Sequence, residues 1–447
     1  MISTNYQVYQ SDLQEVLNEF VDFSGQVCVN GQIKDENFLV DVSVLEKSYS
    51  YQYLYCPNTP LEEKRLQKRF LKLSLYKSLV SYTGESLPWG ALTGIRPTKL
   101  AYQQDENFED FFLNTMLVSK EKTQLIAKIL NTQKGIYNRD SNNKDLFISV
   151  PFCPSRCEYC SFISNEIGKE PLINEYIDAL IYEIEASKAK IDNIRSVYIG
   201  GGTPVSLSDD LFYKLLNGIG KQNVEYTIEA GRPDAITQTK LEMMKEFNVT
   251  RVCVNPQTFN DKTLIKIGRR HTANDIMEKY RMVKDFGFDV NMDLIAGLTG
   301  ETFEDFKYSV DTAISLNPEN ITVHTLSLKA GSILKETVHK LTDKEVSLMV
   351  EYAHNALAKA GYNPYYLYRQ KYMAGNLENT GYAKPNKECV YNIDIMEETT
   401  DILANGANAV SKKVGENGKI TRIGAPKNTQ AYLSKVETLI KEKNLLF

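Results

Sequence analysis

Six short runs rich in β-branched and aromatic residues, each followed by a helical segment, occupy the middle of the chain. The runs lie at 146–152, 196–199, 224–230, 251–257, 289–295 and 320–326. Segments with apolar residues at helical spacing alternate with them, for example 172–191 and 302–316. Strands that alternate with helices in this way pair in parallel through right-handed crossovers. We therefore predict an α/β fold with a partial parallel (β/α)6 barrel, whose functional groups gather at the carboxyl ends of the strands.

The length of the chain predicts more than one domain, because 447 residues far exceed the roughly 150 residues of a typical domain. Residues 1–140 combine alternating apolar and polar positions at 27–55 with a basic helical segment at 61–82, which indicates a small N-terminal α+β domain. The polar run 138–144 marks a boundary, so we assign the barrel to 141–362. Residues 363–447 are rich in tyrosine and then in glycine, asparagine and lysine, and we predict a C-terminal extension or lid there.

Charge and hydropathy exclude several classes of protein. With 52 basic and 57 acidic residues the net charge is −5, which disfavours a nucleic-acid partner. No run approaches the roughly 18 consecutive apolar residues of a membrane span, and residues 1–14 lack a basic signal region. Seven cysteines, an odd number, indicate thiolate chemistry in a reducing compartment rather than disulfides. We expect a cytoplasmic protein without a membrane partner.

Three of the seven cysteines share one short segment. Cys153, Cys157 and Cys160 follow the first predicted strand with the spacing CxxxCxxC. A loop with this spacing can place three thiolates around one face of a [4Fe-4S] cluster and leave the fourth iron open to a small molecule. The alternatives are a zinc knuckle without a nearby fourth ligand, or chance clustering. The loop lies where a βα barrel keeps its active site, which favours the cluster.

The sequence around this loop resembles that of the radical S-adenosylmethionine (SAM) enzymes. PFC at 151–153 together with GGGTP at 200–204 resembles the branch of oxygen-independent coproporphyrinogen III oxidases, and the stretches 89–100, 366–375 and 384–394 resemble its HemZ-like group. The resemblance implies a barrel of the radical SAM type in which the open iron binds the amino and carboxylate groups of SAM. It also implies a tetrapyrrole substrate, the oxidative decarboxylation of coproporphyrinogen III propionates to the vinyl groups of protoporphyrinogen IX, and a reduced flavodoxin or ferredoxin as electron donor.

Several residues at strand ends are candidates for ligand contacts. The glycines at 200–202 let the backbone approach a ligand closely, although a triple glycine before Thr-Pro is just as often a tight turn. Glu229 ends the third strand, where a carboxylate can take ribose hydroxyls or an ammonium group, or can be an ordinary strand-end charge. Asp293 lies within the fifth strand, and an acid there is costly to bury unless it is paired. This cost makes Asp293 the stronger candidate on composition alone.

The resemblance implies a larger set of SAM contacts. These are Phe147, Tyr159, Gly201, Gly202, Thr203, Glu229, Gln257, Arg269 and Asp293. Of these, Tyr159, Gly202, Thr203, Gln257, Arg269 and Asp293 would lie near a second SAM molecule, so the implied cofactors are a [4Fe-4S] cluster and one or two SAM molecules. Phe147 stands where family members usually carry a tyrosine, which removes a hydrogen bond worth about 0.5 to 1.5 kcal/mol. Ser149 stands where the oxidases themselves would carry a histidine.

The other histidine, cysteine and tyrosine signals are weaker. We interpret His324, on the sixth predicted strand, as a core histidine in preference to a pocket residue. The cysteines outside the motif, Cys28, Cys56, Cys253 and Cys389, are interpreted as small buried residues. The tyrosines between 362 and 372, with Arg369 and Lys371, are candidates to line a flat macrocycle and meet its carboxylates, and the alternative is a half-exposed strand or an interdomain seam.

Two other functions stay open. The first is a haem-binding chaperone on the same barrel; such chaperones typically carry a His-Asn pair with a downstream Tyr-Trp, whereas 389–394 reads CVYNID here. The second is a radical SAM enzyme that modifies tRNA, for which the basic helix at 61–82 would be the contact. The net charge of −5 offers no general positive surface for it.

Overall fold

The structure is a computed structural model, which describes residues 1–20, 22–94, 96–104, 107–140, 142–160, 165–167, 171–191, 193–327, 343–370, 373–415 and 419–447. Contacts among these residues divide the chain into two compact units, Met1–Ala127 with Arg369–Leu377, and Lys128–Tyr368 with Glu378–Phe447. The three domain ranges drawn from the sequence stay a prediction. Lys371 and Tyr372 of the tyrosine-rich run lie outside the described residues.

The first part of the chain forms a four-stranded sheet with helices. Its elements are β1 (Ile2–Thr4), α1 (Gln10–Asn18), β2 (Val27–Lys34), β3 (Asn37–Val44), β4 (Lys47–Leu54), α2 (Pro60–Thr83), α3 (Pro97–Tyr102), α4 (Phe108–Asp110) and α5 (Lys120–Thr132). The strands lie in chain order, β1 parallel to β2 and the others antiparallel. Helix α2 begins where Thr59 accepts the Glu62 N–H and ends at Gly84, whose φ of +77° suits glycine. The alternation predicted for 27–55 is thus three antiparallel strands.

The rest of the chain is built on one eleven-stranded sheet. Its elements are β5 (Asn143–Val150), β6 (Phe152–Cys153), β7 (Asn165–Glu166), α6 (Ile173–Lys188), β8 (Asn193–Gly201), α7 (Asp209–Ile219), β9 (Glu225–Ile228), α8 (Gln238–Glu246), β10 (Arg251–Cys253), α9 (Asp261–Lys266), α10 (Ala273–Asp285), β11 (Asp289–Ala296), α11 (Phe303–Leu316), β12 (Asn320–Thr325), α12 (Asp343–Lys359), β13 (Asn363–Tyr368), β14 (Asn379–Ala383), α13 (Val390–Glu397), β15 (Asp401–Asn405), β16 (Val410–Val414), β17 (Ile420–Gly424), α14 (Thr429–Leu433) and α15 (Val436–Leu446). Strands β6 and β7 form a separate small pair.

The six strands predicted from the sequence lie side by side in the sheet. β5, β8, β9, β10, β11 and β12 are neighbours in chain order, and every pair is parallel. Helices connect them, and α11 begins with a capping box between Thr302 and Asp305 at the predicted position. The prediction of an α/β fold with six parallel strands is confirmed, and their carboxyl ends share one edge. In the described ranges the sheet is open, with β13 and β17 as its outer strands.

Strands from the C-terminal part extend this sheet on both sides. β14 and β13 add antiparallel strands next to β12, while β15 pairs in parallel with β5 and is followed by β16 and β17. A side-chain hydrogen bond also joins β5 to the segment after β15, because Ser149 Oγ donates to the Ala407 carbonyl at 2.7 Å. The tail therefore belongs to the sheet that carries the parallel strands. Among the described residues we find no helix with the length and apolar character of a membrane span.

Candidate cluster and cofactor site

The three cysteines of the CxxxCxxC motif lie in one loop beyond the carboxyl end of β5. Cys153 ends the short strand β6, and Cys157 and Cys160 follow in a turn closed by a hydrogen bond from Cys160 N to the Cys157 carbonyl at 3.1 Å. Glu158 N donates to the Ile267 carbonyl at 3.1 Å, which ties the loop to the segment after α9. None of these three cysteines is in a disulfide bond, and all are partly exposed. They are therefore accessible as ligands.

Hydrogen-bond donors point at two of the three sulfur atoms. Thr203 Oγ1 lies 3.5 Å from Cys153 Sγ, and Arg232 Nη1 lies 3.8 Å from Cys157 Sγ. In the part of the chain that the structure describes, no three Cys, His, Asp or Glu side chains converge as ligands of a single metal ion. A cluster takes one thiolate at each of three corners, and hydrogen bonds to the cluster sulfurs are one of the features that set its properties. Thiols along one loop with donors aimed at them fit such a group.

The glycine run at the end of β8 packs against the cysteine loop. Thr203 N donates to the Phe152 carbonyl at 2.7 Å. A Cβ on Gly202 would lie only 2.5 Å from the Phe152 oxygen, and Gly201 has a φ of +98°, in the left-handed region that favours glycine. The close approach that the glycines permit is therefore first of all to the neighbouring backbone. It brings the Thr203 hydroxyl to Cys153.

Glu229 lies just beyond β9, next to a tyrosine of β8. Its Oε1 accepts a hydrogen bond from Tyr198 OH at 2.7 Å. Burial raises the pKa of Glu229 to about 7; Asp293 adds to the rise, and the Tyr198 hydroxyl and the Gly201 N–H oppose it. At neutral pH the carboxyl group is thus divided between its acid and carboxylate forms, so it can either donate or accept a hydrogen bond to a ligand.

Asp293 lies in β11 and has the partners that its position requires. Asn291 Nδ2 donates to its Oδ1 at 2.8 Å, and His324 Nε2 lies 3.7 Å from its Oδ2. Burial acts to raise the pKa of Asp293, but His324 and Asn291 outweigh it and hold that pKa below its usual range. The side chain is 20% exposed and remains a carboxylate that a ligand can reach. His324 is 25% exposed, so the interpretation as a core histidine is wrong: the imidazole turns toward the acid across the strand pair.

Arg269 and Tyr159 form a second polar pair at the cysteine loop. Arg269 Nη2 donates to Tyr159 OH at 3.0 Å, and Nη1 donates to the Asn255 carbonyl at 2.5 Å. Burial raises the pKa of Tyr159. Burial acts to lower the pKa of Arg269, but Tyr159 and Cys157 outweigh it, so that pKa is raised and the guanidinium group stays charged. The Arg269 Nε is buried without a hydrogen-bond partner, which is a donor that a bound ligand would satisfy.

Gln257 connects strands through its backbone. Its N–H donates to the Asp293 carbonyl at 2.8 Å, and its own carbonyl accepts the Ile295 N–H at 3.0 Å. The residue has a φ of +67° and is 7% exposed. The positive φ turns the chain away from the sheet after these two hydrogen bonds, so the extended segment that follows β10 ends at Gln257. A contact between its side chain and SAM stays a prediction.

Phe147 belongs to a group of three aromatic rings. It is the register partner of Tyr198 on the neighbouring strand, with ring centroids 6.3 Å apart and planes at 23°. Tyr391 stacks on both, at 6.0 Å from Phe147 and 4.5 Å from Tyr198. Phe147 has no hydroxyl, but the adjacent Tyr198 brings one to Glu229.

The tyrosine-rich strand β13 supplies further rings to the same unit. Tyr365 and Tyr366 are buried in a core cluster that also contains Tyr391 and Cys389. Tyr368 is partly buried, and its OH lies 3.3 Å from His324 Nδ1. These tyrosines extend the aromatic group from Phe147 toward the polar side chains of β11 and β12.

The four cysteines outside the motif divide into two kinds. Cys253 and Cys389 are buried, as expected, whereas Cys28 is half-buried and Cys56 is exposed, so the expectation was wrong for these two. Cys28 is at an outward position of β2, where alternate residues face solvent, and Cys56 lies in the segment between β4 and α2.

Two residues that the structure brings to this site, Tyr198 and Arg232, were not among the candidates drawn from the sequence, and His324 was assigned to the core. Arg232 follows Gly231 in GRPD, immediately after β9, and a charged residue at a strand end of this kind is a signal that could have been weighed. Tyr198 and His324 are placed by strand pairing, which local sequence does not reveal.

Residues 147–313 match the model of the Radical SAM superfamily. The chain is 38% identical over 391 residues, 82% of its length and 78% of the relative, to the oxygen-independent coproporphyrinogen-III oxidase-like protein HemZ of Bacillus subtilis (strain 168). It is 34% identical over 206 residues, 44% of its length and 54% of the relative, to the heme chaperone HemW of the same organism. The solved coproporphyrinogen III oxidase HemN of Escherichia coli shares the fold, with a TM-score of 0.55 and 19% identity over 72% of this chain and 73% of that one.

Proposed function

Since the chain belongs to the radical SAM family that includes HemZ and HemW, whose cofactors are a [4Fe-4S] cluster and SAM, we propose that it is an oxygen-independent coproporphyrinogen III oxidase. In the proposed reaction a propionate side chain of coproporphyrinogen III gives a hydrogen atom to the 5′-deoxyadenosyl radical and one electron to a one-electron acceptor, and carbon dioxide leaves. A vinyl group remains, and two such conversions give protoporphyrinogen IX. The observation that carries the proposal is the likeness to the oxidase-like protein HemZ, which covers 82% of the chain and so extends well beyond the radical SAM match.

Cys153, Cys157 and Cys160 are the proposed cluster ligands. Their thiols are accessible, and Thr203 and Arg232 direct donors at two of the sulfur atoms. When bound and reduced, the cluster would supply the electron that cleaves SAM to methionine and a 5′-deoxyadenosyl radical, which removes the hydrogen atom from the substrate.

The proposed SAM contacts differ in charge, and each charge suits a different part of the cofactor. Asp293 is a carboxylate and is matched to ribose hydroxyls or the ammonium group, whereas Glu229 can also donate from its protonated form. Arg269 keeps a positive charge and an unsatisfied buried Nε for a carboxylate or ring nitrogen. Phe147, Tyr159, Gly201, Gly202, Thr203 and Gln257 complete the set carried over from the family resemblance, for one or two SAM molecules.

The aromatic group around Phe147 supports a large macrocyclic substrate with an extended apolar surface. Its rings contribute large hydrophobic surfaces with few polar atoms. The hydroxyl group of Tyr368 and the imidazole of His324 can form hydrogen bonds with polar substituents of the substrate. Aromatic surroundings also limit the access of water to a reactive intermediate. A cytoplasmic location and electron delivery by a reduced flavodoxin or ferredoxin complete the proposal.

The direct test is anaerobic incubation of the cluster-loaded protein with SAM, a reductant and coproporphyrinogen III, followed by mass analysis. The expected products are 5′-deoxyadenosine and two porphyrinogens. One has lost a single CO₂ and two hydrogens, and the other has lost two CO₂ and four hydrogens. A Cys157→Ala variant should form neither product. Formation of 5′-deoxyadenosine without decarboxylation would refute the substrate while leaving radical SAM chemistry in place.

A haem chaperone is the second candidate, favoured by the 34% identity to HemW over 206 residues. It predicts tight haem binding and transfer to an acceptor protein without decarboxylation. Haem titration of the same preparation, compared with its porphyrinogen turnover, separates the two functions.

A further inference from the structure

Arg232, which directs a donor at Cys157, is a buried cation beside the cysteine loop. It is 3% exposed and follows Gly231, whose φ of +61° turns the chain sharply after β9. Gly231 N donates to the Cys253 carbonyl at 2.8 Å, which fixes this turn to β10. The side chain is thereby held at the carboxyl ends of the strands, next to the cysteines.

The guanidinium group of Arg232 is held on both of its sides. Nε and Nη2 each donate to one oxygen of Asp234 at 2.9 Å, a bidentate pair. Nη1 donates to Ser155 Oγ at 3.1 Å and lies 3.8 Å from Cys157 Sγ. The two-sided contact leaves the group little freedom and fixes one N–H edge toward the sulfur.

Two other titratable groups lie near the Arg232–Asp234 pair, namely His271 and Arg269. Asp234 is 30% exposed, and His271 Nδ1 lies 3.4 Å from its Oδ1. Arg269 is the second guanidinium near Cys157. The acid therefore lies on the far side of Arg232, and positive charge lies on the side of the thiol.

We propose that Arg232, oriented by Asp234, is a positioning residue for the iron–sulfur cluster that raises its reduction potential through Cys157. The inference rests on the cluster ligands proposed above. Reduction adds one negative charge to the cluster, and a fixed N–H donor with positive charge at a ligand sulfur stabilises that reduced form. Because Asp234 and Ser155 hold the guanidinium in place, it needs no reorganisation when the electron arrives.

The test is a redox titration of the cluster followed by electron paramagnetic resonance. In Arg232→Gln, the ratio of reduced to oxidised cluster at a fixed potential should fall at least tenfold, which is about 59 mV for one electron. Arg232→Lys keeps the charge and should recover part of this change. Asp234→Asn keeps an oxygen that accepts a hydrogen bond from Arg232 but removes the negative charge beside it, so it should shift the ratio in the opposite direction.

Arg251→Gln is the matched control. Arg251 is also buried, at 4% exposure, and pairs with Glu225 at 2.7 Å, but it begins β10 at the opposite end of the strands. Its loss should lower stability without moving the midpoint. An unchanged midpoint in Arg232→Gln, or equal shifts in the Gln and Lys variants, would overturn the proposal. If Arg232→Gln takes up no cluster, the midpoint of Asp234→Asn is the test. An unchanged or lowered midpoint in Asp234→Asn would overturn the proposal.

The iron and sulfide content of the parent protein distinguishes a failure of the proposed cluster ligands from a failure of the proposed role of Arg232. A parent chain that binds no cluster refutes the proposed ligands. A fully loaded parent whose midpoint ignores Arg232 refutes only the role of Arg232.

Discussion

Glu229→Gln should make the stability of the second unit less sensitive to pH. Burial raises the pKa of Glu229 from 4.5 to about 7, so between these values the folded state binds more protons than the unfolded state. The parent therefore loses stability as pH rises from 4.5 to 7, and the loss is complete above 7. At about 1.4 kcal/mol per pKa unit, the cost reaches about 3 kcal/mol. Glutamine carries no charge to bury and keeps an oxygen that can accept the Tyr198 hydroxyl.

The assay is thermal unfolding followed by circular dichroism at pH 4.5 and pH 8, without SAM. About 1 kcal/mol corresponds to about 2–4 °C for domains of about 150–250 residues, and to the low end of that range or less for the larger second unit, so about 3 kcal/mol should raise the unfolding temperature of the variant by about 6 °C relative to the parent at pH 8 and by little at pH 4.5. Trp89, the only tryptophan, lies in the first unit, and its fluorescence serves as an internal control. An equal difference between variant and parent at both pH values would refute the raised pKa.

Three further substitutions test the site. Cys157→Ala should reduce iron and sulfide after reconstitution to a small fraction of the parent content, whereas Cys253→Ala, at a buried cysteine outside the loop, should keep it; full retention in the first variant would contradict the ligand set. Asp293→Asn should weaken SAM binding by about 10- to 100-fold in calorimetry, as for a hydrogen bond to a charged group worth about 1.5 to 3 kcal/mol, and a loss of thermal stability with unchanged SAM affinity would instead make its pairing with His324 structural. Gly202→Ala should lower stability by about 1–3 kcal/mol in chemical denaturation, since its new Cβ would lie 2.5 Å from the Phe152 carbonyl oxygen, and an unaffected variant would show that the two backbone segments can move apart at no cost.

The parallel core of the fold could be predicted because each strand and helix has its own local pattern. A strand such as β11 is a compact apolar run, and a helix such as α11 has a capping box and helical spacing. Right-handed crossovers then leave few ways to join them. The CxxxCxxC motif is equally local, so the loop and its place after β5 followed from the sequence.

The C-terminal strands were beyond such reasoning. Asp401–Asn405 pairs with Asn143–Val150, and the two segments are separated by about 250 residues of chain. A strand of five residues has the same pattern beside any partner, so its sequence indicates a strand but not its neighbour. Only the assembled sheet decided that the tail extends it on both sides.

The polar partners within the site were decided in the same way. The sequence singled out Asp293 because an acid on an apolar strand needs compensation, yet its partner His324 was interpreted as core. Arg232 is 75 residues from the thiol it approaches, and Tyr198 meets Glu229 only because β8 and β9 are paired in one register. Residue type and spacing thus determined which chemistry the chain carries, whereas strand order and register, which depend on distant contacts, decided which side chains meet to perform it.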